Sequence, residues 1–183
     1  DCISVSSWSQ VSSTAIEQSL KDMDSTMDMQ DNVHGVYVNQ SGTYYFDESN
    51  NIAQISIHTS HTSSAVNTRV SIDAAPDGSL HVASINHTTS SVYYSSCSSN
   101  CDSSSSWSTE LVSNDTTSQA IIQVDADGTP WILFTHNTNG AILMFRENGQ
   151  WVGDAISAWP GAADSFGMMI NSAGYVYTSL HLV

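Results

Sequence analysis

Apolar and polar residues alternate in short stretches along this chain, and the alternation restarts at a nearly constant interval. Four stretches share one layout: Met27–Val38, Ser71–Ser84, Ile122–Phe134 and Met169–Tyr177. Each runs from one period-two strand through an Asp, Asn or Gly turn into a second strand, which is the signature of a β-hairpin. His34, His81, Trp131 and Tyr177 open the second strand of the four units, at spacings of 47, 50 and 46 residues. Aromatic-rich third strands are expected at Thr43–Phe46, Ser91–Tyr94 and Ala141–Phe145. A more polar fourth strand is opened by Trp107 or Trp151, with Ile52–Ile57 in the corresponding place.

Four antiparallel strands repeating every forty-odd residues match propeller blades, none of which can cover both its faces alone. The expected fold is therefore all-β: a single β-propeller domain over residues 1–183, with about four blades of four-stranded antiparallel sheet. The expected divisions are a closing strand and linker over 1–26 and blades over 27–66, 67–117 and 118–160. A partial blade follows over 161–183. Cys2 and Trp8 align with Cys101 and Trp107, so the chain opens as if at a fourth strand and closes as if after a second. That splits one blade between the termini and leaves its third strand unassigned. Donation of the strand by another chain, a longer parent propeller and a misaligned end all remain open.

Composition sharpens this picture. Charged residues make up only 11% of the 183 residues, against about a quarter in ordinary domains, so hydroxyls and amides must form most of the surface. Three Lys and Arg face 18 Asp and Glu, a net charge of −15. Nucleic acid is excluded as a partner because its binding rests on neutralising phosphates. An anionic membrane surface is disfavoured for the same reason, and no apolar run is long enough to span a bilayer as a helix. Asp1-Cys2-Ile3 lacks the basic start and apolar stretch of a signal peptide. The other features point outward, so Asp1 is read as the start of a processed chain or of an excised segment. The expected location is secreted, extracellular or at the cell surface.

The run Asp77-Gly78, His81-Val82-Ala83, Ser91-Val92-Tyr93-Tyr94, Cys97, Cys101 and Trp107 resembles secreted propeller repeats of the sialidase-like (BNR-repeat) kind. The resemblance is clearest over residues 71–159 and implies the propeller fold rather than an activity. Val124–Trp131 only loosely approximates that family's Asp-box and sits in a different turn. Sialidases grip their substrate carboxylate with three arginines, whereas Arg69 and Arg146 are the only two here. No catalytic residue is assigned, and the chain is expected not to be an enzyme.

Candidate chemistry is sparse. Cys97 and Cys101 close a short loop that suits a disulfide in a secreted protein better than a metal site, which would want two further close ligands. Cys2 is left over, either for an intermolecular bond or as a free thiol. Sequons start at Asn39, Asn86 and Asn114, with Asn39 and Asn86 expected in equivalent exposed turns. His58 and His61 lack the helix and Glu of a zinc-protease motif. Asp125 and Asp127 resemble a Ca²⁺ pair, but the other repeats lack it, so a turn role is expected and no metal or cofactor is assigned. His34, His81, Trp131 and Tyr177 could ring one end of a central channel and hold a sugar; packing between blades is the competing reading.

Two functions follow. The first is a non-enzymatic extracellular assembly module, a subunit of a glycosylated surface filament that self-associates by strand donation or edge pairing. The second is a lectin-like propeller for carbohydrate binding or adhesion.

Overall fold

The structure, a computed structural model, describes residues 20–49, 51–56, 70–86, 88–114, 116–136, 140–156 and 163–182. Fourteen strands run through these residues with one short 3₁₀ turn at Ser104–Ser106. The first blade is β1 (Asp22–Met27), β2 (Val33–Asn39), β3 (Gly42–Asp47) and β4 (Ile52–Ser56). The second is β5 (Ser71–Ala74), β6 (Leu80–Asn86), β7 (Ser91–Cys97) and β8 (Ser108–Asn114). The third is β9 (Thr116–Val124), β10 (Pro130–His136), β11 (Gly140–Glu147) and β12 (Gln150–Ala155). A fourth contains β13 (Ala163–Ile170) and β14 (Val176–Leu182).

Within each blade, strands pair antiparallel with their neighbours in chain order. This is the up-and-down meander of a propeller blade. First strands sit innermost: β1 lies beside β5, β5 beside β9, and β9 beside β13. No comparable contact joins the first and fourth blades among the described residues. Among the described residues the four blades therefore follow one another as an arc.

Directly opposed residues share a face of a sheet, so the register states what each blade presents to its neighbours. Asp24 opposes Val36, and Val36 opposes Tyr45. This face of the first blade meets Val70, Ile72, Leu80, Val82 and Trp107 of the second in one buried cluster. Ala83, Ile85, Val92 and Tyr94 leave the second blade's other face and pack on Ala120, Ile122, Ile132 and Phe134 of the third. Leu133 and Ala141 then meet Phe166 of the fourth. The core is thus divided among the junctions between blades. At about 25 cal/mol per Å² of apolar surface removed from water, each junction supplies stability that a lone blade lacks.

The innermost strands are joined by a second device. Each has a free edge whose outward N–H groups need acceptors. Asp22 and Asp24 accept the N–H groups of Val70 and Ile72, at 2.9 and 3.1 Å. Ser71 Oγ and Asp73 Oδ2 accept those of Ile122 and Val124, at 3.3 and 2.8 Å. Gln123 Oε1 accepts that of Ile170 at 3.3 Å. Every junction thus carries polar side chains from one inner strand onto the backbone of the next.

This ladder corrects the first boundary expected from the sequence. Asp22–Met27 is the inner strand of the first blade rather than part of a linker. Its junction-facing positions are Asp22, Asp24 and Thr26, and they are polar because they bond to the next blade. The usual apolar-inward alternation is inverted there, and the strand was missed.

Candidate functional site

Three of the four repeats end their first hairpin strand in a turn held by the side chain of its first residue, the second having Ala75 in that place. Asp28 Oδ1 accepts the N–H groups of Gln30 and Asn32, both at 2.9 Å. Asp125 does the same for Asp127 and Thr129, and Asn171 for Ala173 and Tyr175. These Asx turns are a standard use of Asp and Asn. They commit the Asp125 carboxylate to the turn. Among the described residues no group of three or more His, Cys, Asp or Glu converges on a metal position.

The four residues that follow these turns occupy equivalent places, but they serve their own blades. His34 Nδ1 lies 2.8 Å from the Tyr45 hydroxyl, and its Nε2 lies 3.2 Å from Asp28 Oδ2. Burial, with the nearby Asp47, Asp102 and Asp28 carboxylates, holds the Tyr45 phenol far above the ordinary tyrosine range. Tyr45 therefore keeps its proton and donates to Nδ1, leaving Nε2–H to donate to Asp28. Trp131 donates its indole N–H to Asp125 Oδ2 at 2.9 Å and stacks on Phe145, with ring centroids 4.5 Å apart. Tyr177 lies exposed on the outer face of the fourth blade, opposite Met169. No hydrogen bond or ring contact joins the four to one another among the described residues. The inner strands line the axis, whereas these residues stand on the second strands.

His81 borders a cavity lined mainly by polar residues. Its Nδ1 lies 2.7 Å from the Tyr94 hydroxyl, and its Nε2 lies 2.9 Å from Ser79 Oγ. Ser79 Oγ donates to Asp77 Oδ1 at 2.6 Å. A hydroxyl has one proton to give, so Ser79 accepts from His81 Nε2–H, and His81 Nδ1 accepts from Tyr94. Burial keeps the imidazole pKa below 6.5 and pushes the Tyr94 phenol up, which fits a neutral ring and a protonated phenol. The hydroxyl and backbone N–H of Ser79 hold the Asp77 carboxyl below its usual range.

The cavity has a volume of about 320 Å³ and is lined by Asp77, Ser79, His81, Ser96, Cys97, Ser98, Ser106 and Ser108. Cys97 and Cys101 are joined by a disulfide, with their Cα atoms 5.8 Å apart. The Trp107 indole N–H donates to the Cys101 carbonyl at 2.8 Å, tying down the end of the serine loop. Sequence reading singled out His81 here but missed Asp77 and the serines. The sequence signal available was the dense serine run 103–106 beside the Cys pair.

A charged group also spans the second junction. Arg146 of the third blade forms an ion pair with Glu110 of the second, and Glu110 Oε1 accepts the Trp151 indole N–H at 2.9 Å. The Arg146 guanidinium lies 5.7 Å from the Tyr94 ring centre and 5.6 Å from that of Trp151. This arginine is therefore engaged in holding two blades together.

Two of the expected glycosylation positions are corrected. Asn39 is 1% exposed and its side-chain oxygen accepts the N–H groups of Ser41 and Gly42. Asn86 is 7% exposed and caps Thr88 and Thr89 in the same way. Both were expected in exposed turns, but the asparagine itself is folded inward to close the turn. Asn114 is exposed. Cys2, His58, His61 and Arg69 lie outside the described residues.

No protein-family model matches the chain, and no curated protein matches it in sequence. Solved structures give likenesses at low identity. A fucose lectin from Kordia zhangzhouensis is 13% identical with a TM-score of 0.48, over 74% of this chain and 99% of that one. A putative gluconolactonase is 11% identical with a TM-score of 0.49, over 87% of this chain and 58% of that one. A putative exo-β-1,3-galactanase from Bifidobacterium bifidum is 9% identical with a TM-score of 0.49, over 81% and 57%. The chain thus spans little more than half of the two latter proteins. The propeller assignment rests on the sheet order and blade junctions above. The finer affinity with sialidase-type repeats has no sequence match behind it.

Proposed function

We propose that this chain is a non-catalytic extracellular assembly module whose blade arc is continued by a second copy of itself. The observation that supports this is the state of the two outermost blade faces. The first blade's outer face exposes Met23, Met27 and Ile52, and the fourth blade's exposes Met169 and Tyr177. Gly167, Met168, Met169, Tyr177, Thr178 and Ser179 line a groove of about 310 Å³ on the fourth blade.

At every internal junction, a face of the fourth blade's kind packs on a face of the first blade's kind. A second copy supplies the matching face, continuing an interface the chain already builds three times. Such a contact is heterologous: it gives a closed ring if the rotation closes and a filament if it does not. The disulfide fits an oxidising compartment, and exposed Asn114 is the sequon suited to carry a glycan there.

Native material viewed by negative-stain electron microscopy without reductant, with light scattering alongside, tests this reading. Rings or fibrils should form, and the double substitution Met169→Asp with Tyr177→Asp should release single copies. Compact single copies of the unsubstituted chain at high concentration would sink the proposal. A second reading, carbohydrate binding, is favoured by the polar cavity on the second blade.

A further inference from the structure

We infer that the cavity on the second blade is a binding site for one neutral pyranose ring, recognised through vicinal hydroxyls by Asp77 and the surrounding serines. This rests on the carbohydrate-binding reading and names its site.

Size and chemistry carry the inference together. About 320 Å³ lies near the lower end of ligand pockets, which start at roughly 300 Å³, and suits a single sugar ring. The lining offers the hydroxyls of Ser98, Ser106 and Ser108, each able to donate and accept, as sugar hydroxyls are. The Ser79 hydroxyl is spent on Asp77 and His81, and that of Ser96 bonds Tyr94. Asp77 Oδ1 is occupied by the N–H and hydroxyl of Ser79, and beyond Ser79 the carboxyl takes only its own backbone N–H among the described residues. A carboxylate oxygen presented in this way accepts strong, charge-assisted hydrogen bonds from a diol.

The same lining excludes other ligands. It contains no Lys or Arg, and burial disfavours a charge on His81, so a phosphate or a sugar acid would meet the Asp77 charge with nothing to balance it. The chain of donors running Tyr94, His81, Ser79, Asp77 fixes the polar groups before any ligand arrives, and the disulfide loop fixes the rim. Preorganisation of this kind lowers the cost of binding.

Comparison across the repeats separates this set from what the fold requires. Position for position, Asp77, Ser79 and His81 correspond to Gln30, Asn32 and His34 in the first blade. They correspond to Ala173, Tyr175 and Tyr177 in the fourth. Those blades form the same hairpin without the Asp–Ser–His set, whereas the third has Asp127, Thr129 and Trp131 there, keeping a carboxylate and a hydroxyl but not the imidazole. The described residues hold no second disulfide-rimmed serine loop.

The test is titration calorimetry of the full chain with methyl glycosides of glucose, galactose, mannose and fucose. A glycan array carrying the same sugars as chain ends separates a free sugar from a displayed glycan. Asp77→Asn keeps the turn acceptor but removes the charge, and Ser108→Trp fills the cavity from an exposed position. Saturable binding weakened at least about tenfold by both substitutions supports the site. Binding that neither substitution changes overturns the site and leaves the carbohydrate reading standing. No binding to any of the four sugars, in either format, overturns both. Running the titration on the Met169→Asp, Tyr177→Asp variant separates these outcomes from the fate of the assembly proposal.

Discussion

The Asp24 carboxylate accepts the backbone N–H of Ile72 at 3.1 Å, across the junction between the first two blades. A bond of the same kind in the next junction runs from Val124 N–H to Asp73 Oδ2, at 2.8 Å. In both, a side chain of one inner strand occupies a donor that would otherwise face the axis unpaired. This accounts for acidic residues at positions where blade packing alone would select apolar ones.

Asp73 is the member of this ladder most sensitive to loss, because it also accepts the Ala74 N–H and the Thr26 hydroxyl. Replacing it with alanine strands a partly buried N–H, and a buried donor without a partner costs about 1–3 kcal/mol. Asp73→Ala should lower unfolding stability by that amount at neutral pH. Urea denaturation followed by tryptophan fluorescence measures it, and a change within error would show that water replaces the carboxylate.

His81 and Asp73 make opposite contributions to the pH dependence. Burial lowers the His81 pKa, so its contribution is fully present above the ordinary 6.5 and lost as pH falls through the folded value. Burial raises the Asp73 pKa above 3.8, so the part of its contribution that comes from protonation is greatest in acid and lost as pH rises through the folded value, while the hydrogen bonds it accepts remain. A His81→Gln variant has nothing to protonate at that position. Between neutral pH and about pH 5, the unsubstituted chain should lose more stability than the variant. Parallel losses in the two would show that His81 becomes charged in the fold without penalty.

The Cys97–Cys101 disulfide holds the loop that Trp107 anchors, and the Trp107 ring packs on Tyr45 of the first blade, with centroids 5.6 Å apart. Closing so short a loop is worth about 2 kcal/mol by chain entropy. The double substitution Cys97→Ala, Cys101→Ala should cost about that much. It should also quicken proteolytic cleavage within residues 98–106, read by mass spectrometry of early fragments. Unchanged cleavage would mean that Trp107 alone secures the loop.

The blade repeat was legible because hairpin turns and strand alternation are local. Asp28, Asp125 and Asn171 announce their turns within five residues, and the equivalence of His34, His81, Trp131 and Tyr177 follows from counting between turns. The Cys97–Cys101 pairing is local in the same sense. The inner strand β1 was not legible, because its polar face is explained only by N–H groups 48 residues away.

Sequence by itself therefore determined the all-β class, the period and the strand order within a blade, since neighbours in the chain are neighbours in the sheet. Tertiary structure alone decided which side chains are available. It turned Asn39 and Asn86 inward, gave His34 and Trp131 to their own turns, spent Arg146 on a junction, and set Asp77 among serines from three separate segments. The physical reason is that a blade is built from contacts a few residues long, whereas a junction or a cavity depends on surfaces that meet only when blades stack.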